Sequence, residues 1–305
     1  MRSPPRTYVI LHIAYIRDSI VILLVKSVAR PLREEFPRVI DRAYSQYKSG
    51  VHVQDIMTKK VITVSTGASM QEAARTMGSK HIGSLIVEEG DRHIGIVTER
   101  DLLSRVLAKG SDPQQVKVED VMSWPLASIK PIATVKEAAR HMIKHKSRLV
   151  VYEEGKAVGI ITASDLVRTI PECPETECTV ERFMTKRIVT VKPDTAVKEV
   201  VGIMGIKRIG SVLVEEARVP HGIFTERDLL SKLIAKQKSL NTTIDRFASK
   251  PLATIPQETS VHQAAKTMAR KHMRRLPVTE KAAKGKRRPI VGIITARDLV
   301  EAYAA

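Results

Sequence analysis

Four copies of one seven-residue pattern constrain this chain more than any other feature of its sequence. The pattern is glycine, two apolar residues, threonine, any two residues and aspartate. It occurs as GIVTERD, GIITASD, GIFTERD and GIITARD, beginning at Gly95, Gly159, Gly222 and Gly292. The four threonines are 64, 63 and 70 residues apart. The chain is therefore built from repeated units of roughly 60 residues, each too small to bury a comfortable core alone.

The same secondary-structure signals precede each copy in the same order. A short β-branched run predicts a strand, and apolar residues at i, i+3, i+4 and i+7 then predict an amphipathic helix. Two more strands form a hairpin that ends in the motif, and a second helix follows, so each unit is β-α-β-β-α. The helical stripes predicted to be buried are Met70, Ala73, Ala74 and Met77; Val135, Ala138, Ala139 and Met142; Val197, Val200, Val201 and Met204; and Val261, Ala264, Ala265 and Met268.

The starts of these helices are also predicted. Three of them open with a capping box, in which two side chains three positions apart satisfy amides of the first turn. The pairs are Ser69 with Glu72, Thr134 with Glu137 and Ser260 with Gln263. The third repeat has Ala196 at the capping position, so Thr195 or Asp194 is predicted to cap that helix.

The repeats alternate between two types. Repeats 1 and 3 share TERDLLS and repeats 2 and 4 share GIITA, so an ancestral pair was duplicated as a pair. Each pair is expected to pack sheet against sheet, which hides its apolar faces. The predicted boundaries are 1–50 for an N-terminal segment, 51–172 for the first pair (repeats 51–110 and 117–171) and 173–305 for the second (repeats 179–238 and 241–303).

The unit that ends in this motif resembles the cystathionine-beta-synthase (CBS) domain, and a tandem pair resembles a Bateman module. The resemblance covers residues 51 to 303 and extends to the four-repeat gamma subunit of AMP-activated protein kinase. It implies an α/β (α+β) fold of two Bateman modules, each with a pseudo-twofold axis and two clefts. The ligands that it implies are AMP, ADP, ATP or S-adenosylmethionine.

The resemblance also implies roles for the threonine and aspartate of each motif. The aspartate would contact the ribose hydroxyls and the threonine would lie near the ribose or phosphate. These residues are Thr98, Asp101, Thr162, Asp165, Thr225, Asp228, Thr295 and Asp298. The same pairs also fit a helix-capping box. The motif glycine, which leaves room for a ligand near the backbone, favours binding by at least two of the four aspartates.

Arginines are candidates for the phosphate end of the ligand, because a planar guanidinium can donate two parallel hydrogen bonds to phosphate oxygens. Arg148 and Arg275 each precede a leucine in the second strand of their repeat, and Arg274 stands beside Arg275. His81 and Arg208 lie just before the corresponding Gly-Ser positions of repeats 1 and 3. Solvated surface arginines are the alternative interpretation.

The sequence contains no G-x4-G-K-[ST], G-x-G-x-x-G or G-x-S-x-G motif, so we expect a regulatory protein rather than an enzyme. We expect it in the cytoplasm, and the resemblance implies no required cofactor. Its expected partners are an adenine nucleotide and an unidentified regulated protein, and a homodimer remains open.

A net charge of +18, of which +11 falls in residues 173–305, raises nucleic-acid binding as an alternative function. The basic stretch KAAKGKRRP (281–289) contributes to this surplus. However, aromatic residues make up only 4% of the chain, which leaves few rings for base stacking.

The apolar run from Tyr8 to Val25 is interrupted at its middle by Arg17 and Asp18. Central charges disfavour a membrane span, so a peripheral helix, or a segment upstream of the true start codon, is expected.

Two further groups of side chains could suggest metal or disulfide chemistry. Cys173 and Cys178 are interpreted as loop thiols, since two cysteines are too few for a disulfide scaffold or a four-ligand zinc site. His141 and His145 are interpreted as a helix-surface pair, because Met142 stands where a zinc protease carries glutamate.

Overall fold

The structure of the protein is a computed structural model, which describes residues 9–16, 19–26, 51–145, 148–170, 178–281 and 288–304. The chain divides into two compact units, Met1–Tyr47 and Lys48–Ala305. All four repeats belong to the second unit.

The first unit contains an antiparallel hairpin of β1 (Val9–Ile16) and β2 (Ser19–Lys26), in which Ile16 pairs with Ser19. The predicted peripheral helix is therefore wrong. The two strands are rich in β-branched residues, which favour extended structure, and Arg17 and Asp18 lie outside the described residues. No helix among the described residues is long and apolar enough to cross a membrane.

Each repeat folds into the predicted β-α-β-β-α unit, and a short helical turn precedes repeats 1, 3 and 4. The elements of the first module are α1 (Val53–Ile56), β3 (Thr63–Ser65), α2 (Met70–Ser79), β4 (Ser84–Glu89), β5 (Arg92–Thr98), α3 (Glu99–Asp101, continuing as a π-helix over Leu102–Val106 and a 3-10 turn over Leu107–Lys109), β6 (Ser128–Ile129), α4 (Val135–His145), β7 (Leu149–Glu153), β8 (Lys156–Ile161) and α5 (Ala163–Thr169).

The second module repeats this order. Its elements are a 3-10 turn (Val180–Arg182), β9 (Thr190–Val191), α6 (Val197–Ile206), β10 (Ser211–Glu216), β11 (Val219–Thr225), α7 (Glu226–Asp228, continuing as a π-helix over Leu229–Ile234), a 3-10 turn (Ile244–Arg246), β12 (Ile255–Pro256), α8 (Val261–Arg270), β13 (Arg275–Thr279), β14 (Ile290–Thr295) and α9 (Ala296–Ala304).

Each repeat forms a three-stranded sheet of one design. In the first repeat Ile86 pairs in parallel with Thr63 and antiparallel with Ile96, so the second strand is central. The same order recurs in the other three sheets. The motif threonine ends the third strand in repeats 1, 3 and 4 and directly follows it in repeat 2, which places every motif at the same end of its sheet.

Local capping agrees with the sequence in the first helix and departs from it in the third repeat. Ser69 and Glu72 form the predicted capping box around the start of α2. The start of α6 has Ala196 as its cap without a side-chain bond, so the prediction of a cap from Thr195 or Asp194 is wrong. The amides of Val197 and Lys198 still donate to the carbonyls of Thr242 and Leu240, as those of Met70 and Gln71 do to Val116 and Pro113 in repeat 1. The linker before repeat 4 therefore completes the helix of repeat 3.

Within the first module the repeats exchange their leading segments. Thr58, ahead of the first sheet, bridges to Ile160 in the second, whereas Ser123, ahead of the second sheet, bridges to Ile96 in the first. A small cluster including Ile86, Ile96 and Val150 joins the two sheets, as the sequence predicted. The second module has the same exchange.

The two larger cores run between modules. One is built from the helices and sheets of repeats 1 and 3, and the other from those of repeats 2 and 4. The four predicted helical stripes lie in these cores. Gly205 of α6 lies so close to the Leu103 carbonyl and the Ala108 side chain that a Cβ would clash there. The helices thus hold the modules together, and the motif-bearing ends of the sheets meet near the centre.

Candidate functional site

Each motif threonine caps the helix that follows it, and the motif aspartate completes the cap by accepting hydrogen bonds from that threonine. In repeat 1 the Thr98 amide donates to Asp101 Oδ2 at 2.9 Å and the Thr98 hydroxyl donates to the same oxygen at 2.6 Å. The other three repeats repeat both bonds, at 2.6 to 2.9 Å. The capping interpretation is therefore confirmed for all four pairs, and one carboxylate oxygen of each is committed to it.

The second oxygen faces a cation one helical turn later in three repeats. Lys232 Nζ lies 2.7 Å from Asp228 Oδ1, and Arg105 Nε lies 3.4 Å from Asp101 Oδ1. Arg168 also pairs with Asp165 Oδ1. In addition the Ser249 hydroxyl donates to Asp228 Oδ1 at 3.1 Å, which makes repeat 3 the most internally occupied of these three.

Burial raises the pKa of Asp101 above its ordinary value, although hydrogen bonds from Thr98 act in the opposite direction. Burial also raises the pKa of Asp298, although hydrogen bonds from Thr295 act in the opposite direction. These carboxylates lie largely out of water, at the edge of the sheets.

The motif glycines pack closely against the leading segment of the partner repeat. A Cβ on Gly159 would meet the sulfur of Met57 and one on Gly292 would meet that of Met184. Gly95 faces Met122 in the same way, whereas Gly222 faces Ala248. The interpretation that these glycines leave room for a ligand is therefore wrong, because the exchanged leading segment of the partner repeat fills that room.

Cleft 1 is a cavity of about 300 Å³ between repeats 1 and 2. Thr162 and Asp165 of repeat 2 and His81 of repeat 1 line it. The second module reaches into it with Arg227 and His272, neither of which was a sequence candidate. Cleft 1 therefore has a capping carboxylate on one wall and basic side chains from three other repeats.

Cleft 2 is larger, about 500 Å³, and is lined from all four repeats. Thr98 and Asp101 come from repeat 1, whereas Arg208 comes from repeat 3 and Arg275 and Thr295 from repeat 4.

The structure thus brings together many, but not all, of the sequence candidates. Those in cleft 1 are His81, Arg148, Thr162, Asp165 and Arg274. Those in cleft 2 are Thr98, Asp101, Arg148, Thr162, Arg208, Arg274, Arg275 and Thr295. Thr225, Asp228 and Asp298 line neither cleft.

A buried charged cluster joins the clefts at the centre. Glu99 Oε1 accepts a 2.8 Å bond from Arg274 and lies 3.7 Å from the Arg148 guanidinium. Glu226, the equivalent residue in repeat 3, accepts from Arg275 at 2.8 Å and from Arg100 at 3.2 Å. The two arginines predicted for phosphate, Arg148 and Arg275, are therefore ion-paired rather than solvated. Below, "central cluster" means Glu99, Glu226, Arg100, Arg148, Arg227, Arg274 and Arg275.

Glu99 and Glu226 are not among the sequence candidates, although the sequence carries a signal for both. Both lie directly after the motif threonine in repeats 1 and 3, where repeats 2 and 4 have Ala163 and Ala296. The arginines show the opposite distribution, since Arg148 and Arg275 occur only in repeats 2 and 4 at their position. Complementary charges on alternate repeats predict an ion pair between them.

Two further glycines keep the cluster compact. A Cβ on Gly83 would overlap the Glu99 carboxylate and the Arg148 guanidinium. A Cβ on Gly210 would do the same to Glu226 and Arg275. The Gly-Ser pairs of repeats 1 and 3 are thus explained by the arginines that pack over them.

Three basic residues at the clefts adopt left-handed backbone conformations. His81, Arg208 and His272 have φ values of 54°, 53° and 52°. Each follows the first helix of its repeat, where glycine is the residue that adopts this conformation without steric cost.

The remaining candidates lie apart from the clefts. The rings of His141 and His145 stack edge-on at 4.4 Å, and the described residues contain no group of three or more potential metal ligands. Cys178 is half-buried against the core of repeats 2 and 4, whereas Cys173 lies outside the described residues. Residues 282–287 of the basic stretch also lie outside them.

Fold and clefts together define a CBS-domain assembly, and comparison with known proteins agrees. The chain belongs to the CBS domain family, whose members are generally regulatory, and the family model matches residues 53–108, 118–172, 180–235 and 244–305.

Similar proteins come from archaea. The protein MJ1225 of Methanocaldococcus jannaschii is 30% identical over 193 residues, which are 58% of this chain and 68% of that protein. The crystal structure of MJ1225, described as a proposed archaeal homologue of γ-AMPK, superposes with a TM-score of 0.66 at 19% identity and covers 83% of this chain and all of that one. MK0525 of Methanopyrus kandleri is 38% identical over 124 residues, or 40% of this chain and 63% of that protein. The MJ1225 structure supports the four-repeat fold, because the superposition covers 83% of this chain.

Proposed function

We propose that this protein is a non-catalytic regulator that binds AMP, ADP or ATP in clefts 1 and 2 and transmits their occupancy to a partner protein. The observation that carries the proposal is the composition of cleft 1. One wall carries the Asp165 carboxylate, and the other walls carry His81, Arg227 and Arg274. A nucleotide is complementary to this arrangement, because its ribose diol can donate to the carboxylate and its phosphates can pair with the basic side chains.

The ribose end is served by the oxygen of Asp165 that does not cap its helix. Oδ2 accepts from the Thr162 amide and hydroxyl, and Oδ1 faces Arg168, which is half-exposed and can move aside. A carboxylate fixed in this way can accept hydrogen bonds from a diol, as acidic residues do in dinucleotide-binding folds. The same geometry exists at Asp101 in cleft 2.

The charge of the central cluster favours phosphate over other adenosyl groups. It contains five arginines and two glutamates, so its formal charge is +3. S-adenosylmethionine carries a sulfonium, an ammonium and only one carboxylate, so it is a net cation that this charge repels. AMP, ADP and ATP bring anions.

Ligand occupancy could be transmitted to a partner because residues of both modules line the clefts. Cleft 1 lies between repeats 1 and 2, yet Arg227 and Arg274 reach it from the other module. A ligand that contacts both modules binds more tightly to one arrangement of them than to another, and this differential affinity shifts the equilibrium between arrangements. The similarity to MJ1225, described as a proposed γ-AMPK homologue, is consistent with such a role.

Calorimetric titration of the full chain with AMP, ADP, ATP and S-adenosylmethionine tests the proposal. We expect saturable binding of the nucleotides and at least tenfold weaker binding after Asp165→Asn, because asparagine keeps an oxygen for the Thr162 cap and loses the charge. Asp228→Asn is the matched control, since Asp228 caps its helix identically and lines neither cleft. No heat with any nucleotide, or equal losses in both variants, would reject the proposal.

A further inference from the structure

Glu99 is a buried carboxylate that occupies arginines at the clefts. Its side chain is 4% exposed, and Oε1 takes the Arg274 hydrogen bond and the Arg148 contact. Its second oxygen, Oε2, is buried and has no hydrogen-bond partner among the described residues. The Nε of Arg227 is also buried without one in that part of the chain. The hydrogen bonding of the cluster is therefore incomplete around Glu99.

The arginines that Glu99 contacts are shared between the clefts. Arg148 and Arg274 line both cleft 1 and cleft 2. Anionic groups in either cleft must therefore share these two guanidiniums with one another and with Glu99. A carboxylate and a phosphate both accept hydrogen bonds from the same N–H groups in the plane of a guanidinium, so they compete for them.

The Glu99 carboxylate is negatively charged while it contacts these guanidiniums. Burial raises the pKa of its carboxyl, but the guanidiniums of Arg274, Arg148, Arg227 and Arg275 outweigh burial and hold that pKa below the ordinary value. Near neutral pH the cluster thus presents a full negative charge among its arginines.

We propose that Glu99 is a specificity-determining residue, an internal competitor of ligand phosphate for Arg148 and Arg274 that limits how many phosphates a bound nucleotide carries. This inference rests on the proposed nucleotide binding and deepens it. The first phosphate of a nucleotide has other basic partners in cleft 1, His81, Arg227 and His272. Each further phosphate adds negative charge that Glu99 repels.

The effect of Glu99 on binding affinity should increase with the negative charge of the ligand. In a partly buried site the interaction between two unit charges is much stronger than in water, and it grows with each charge on the ligand. Removing the charge of Glu99 should therefore strengthen binding of ATP more than that of ADP, and ADP more than AMP. A residue that only positions arginines would change all three affinities in the same proportion and would weaken them.

Titration of the full-length Glu99→Gln variant with AMP, ADP and ATP tests this. We expect affinity to rise about threefold for AMP and about thirtyfold for ATP. Glu89→Gln is the control, because Glu89 is an exposed residue of the same repeat that lines neither cleft, and it should change nothing. An unchanged ATP-to-AMP affinity ratio, or a loss of affinity for all three, would overturn the proposal.

Inorganic phosphate and tripolyphosphate separate this inference from the proposed function. If neither protein binds nucleotides, the proposed function fails, and the inorganic anions still decide the role of Glu99. Tighter tripolyphosphate binding by the variant supports competition, and equal binding by both proteins overturns it. Should Glu99→Gln fail to fold, Arg274→Gln replaces it, and this variant must lose more affinity for ATP than for AMP for the proposal to stand.

Discussion

Arg274 donates a 2.8 Å hydrogen bond to Glu99 although 175 residues separate the two in the chain. The bond joins repeat 4 to repeat 1, and its counterpart from Arg100 to Glu226 joins repeat 1 to repeat 3. Both bonds cross from one Bateman module to the other. The groups that line the clefts therefore also connect the modules, which links the stability of the assembly to the chemistry of its clefts.

Arg274→Met should lower the free energy of unfolding by about 1–3 kcal/mol, since it leaves the buried Glu99 carboxylate with poorer compensation. The figure lies below that for a fully buried pair because the Arg274 side chain is 25% exposed. Urea unfolding at neutral pH measures it. In the double variant with Glu99→Gln the two losses should fall short of additivity by at least about 0.5 kcal/mol; strict additivity would show that the bond contributes nothing.

Acid should weaken the contribution of Glu99. Its folded-state pKa lies below the ordinary value of 4.5, so the stability that it supplies is complete above that pH and is lost as pH falls through the folded-state pKa. The difference in unfolding free energy between the wild type and Glu99→Gln should therefore shrink between pH 5 and pH 3. Denaturant titrations across this range provide the measurement, and a constant difference would contradict it.

Gly205→Ala should destabilise the protein by about 1–3 kcal/mol, because the added Cβ overlaps the Leu103 carbonyl and Ala108 of the other module. Gly202→Ala, one turn earlier in the same helix, meets no atom within 4 Å and should stabilise by about 0.5–1 kcal/mol. Thermal or urea unfolding of both variants measures the contrast. Equal effects would mean that the modules do not touch at this helix.

His81→Gly should raise the free energy of unfolding by about 0.5–1 kcal/mol, because glycine adopts φ near 54° without steric cost. The same change should weaken nucleotide binding, since His81 lines cleft 1. Lys80→Gly is the control, because Lys80 has a φ of −92° and gains no such relief. Denaturant unfolding and calorimetric titration of the same samples measure both effects. A His81→Gly variant that is less stable than the wild type would contradict the prediction.

Residues 51–172 expressed alone should not remain a stable monomer. The two large cores each combine one repeat from either module, so isolation of the first module exposes its helical faces to water. Self-association through those faces is expected, and light scattering after size exclusion measures it. A cooperative, monomeric module at micromolar concentration would contradict the shared cores.

Much of the fold could be predicted because its signals are local. Ser69 caps a helix through Glu72 three residues later, and Thr98 does so through Asp101, whatever the rest of the chain does. The buried stripe that includes Met70 and Met77 likewise depends only on helical spacing. Such features repeat in four copies, which is why the sequence also indicated the family.

The misinterpreted features depend on distant residues. The motif glycine Gly159 was assigned to ligand access, but Met57 from the exchanged segment occupies that side. The phosphate role of Arg148 stays a prediction, but its ion pair with Glu99 was missed, because Glu99 belongs to another repeat. The N-terminal run has apolar residues suited to either a helix or a hairpin, and strand pairing decided between them.

The sequence by itself thus determined the repeat, its β-α-β-β-α order, the threonine–aspartate caps of its motifs and its membership of the CBS family, because each of these is encoded within one repeat. Only the tertiary structure decided that repeats 1 and 3 share one core and repeats 2 and 4 the other, and that Glu99 meets Arg148 and Arg274 at the centre. Burial and ion pairing act between surfaces brought together by packing. Residues 175 positions apart therefore acquire their roles only when the four repeats assemble.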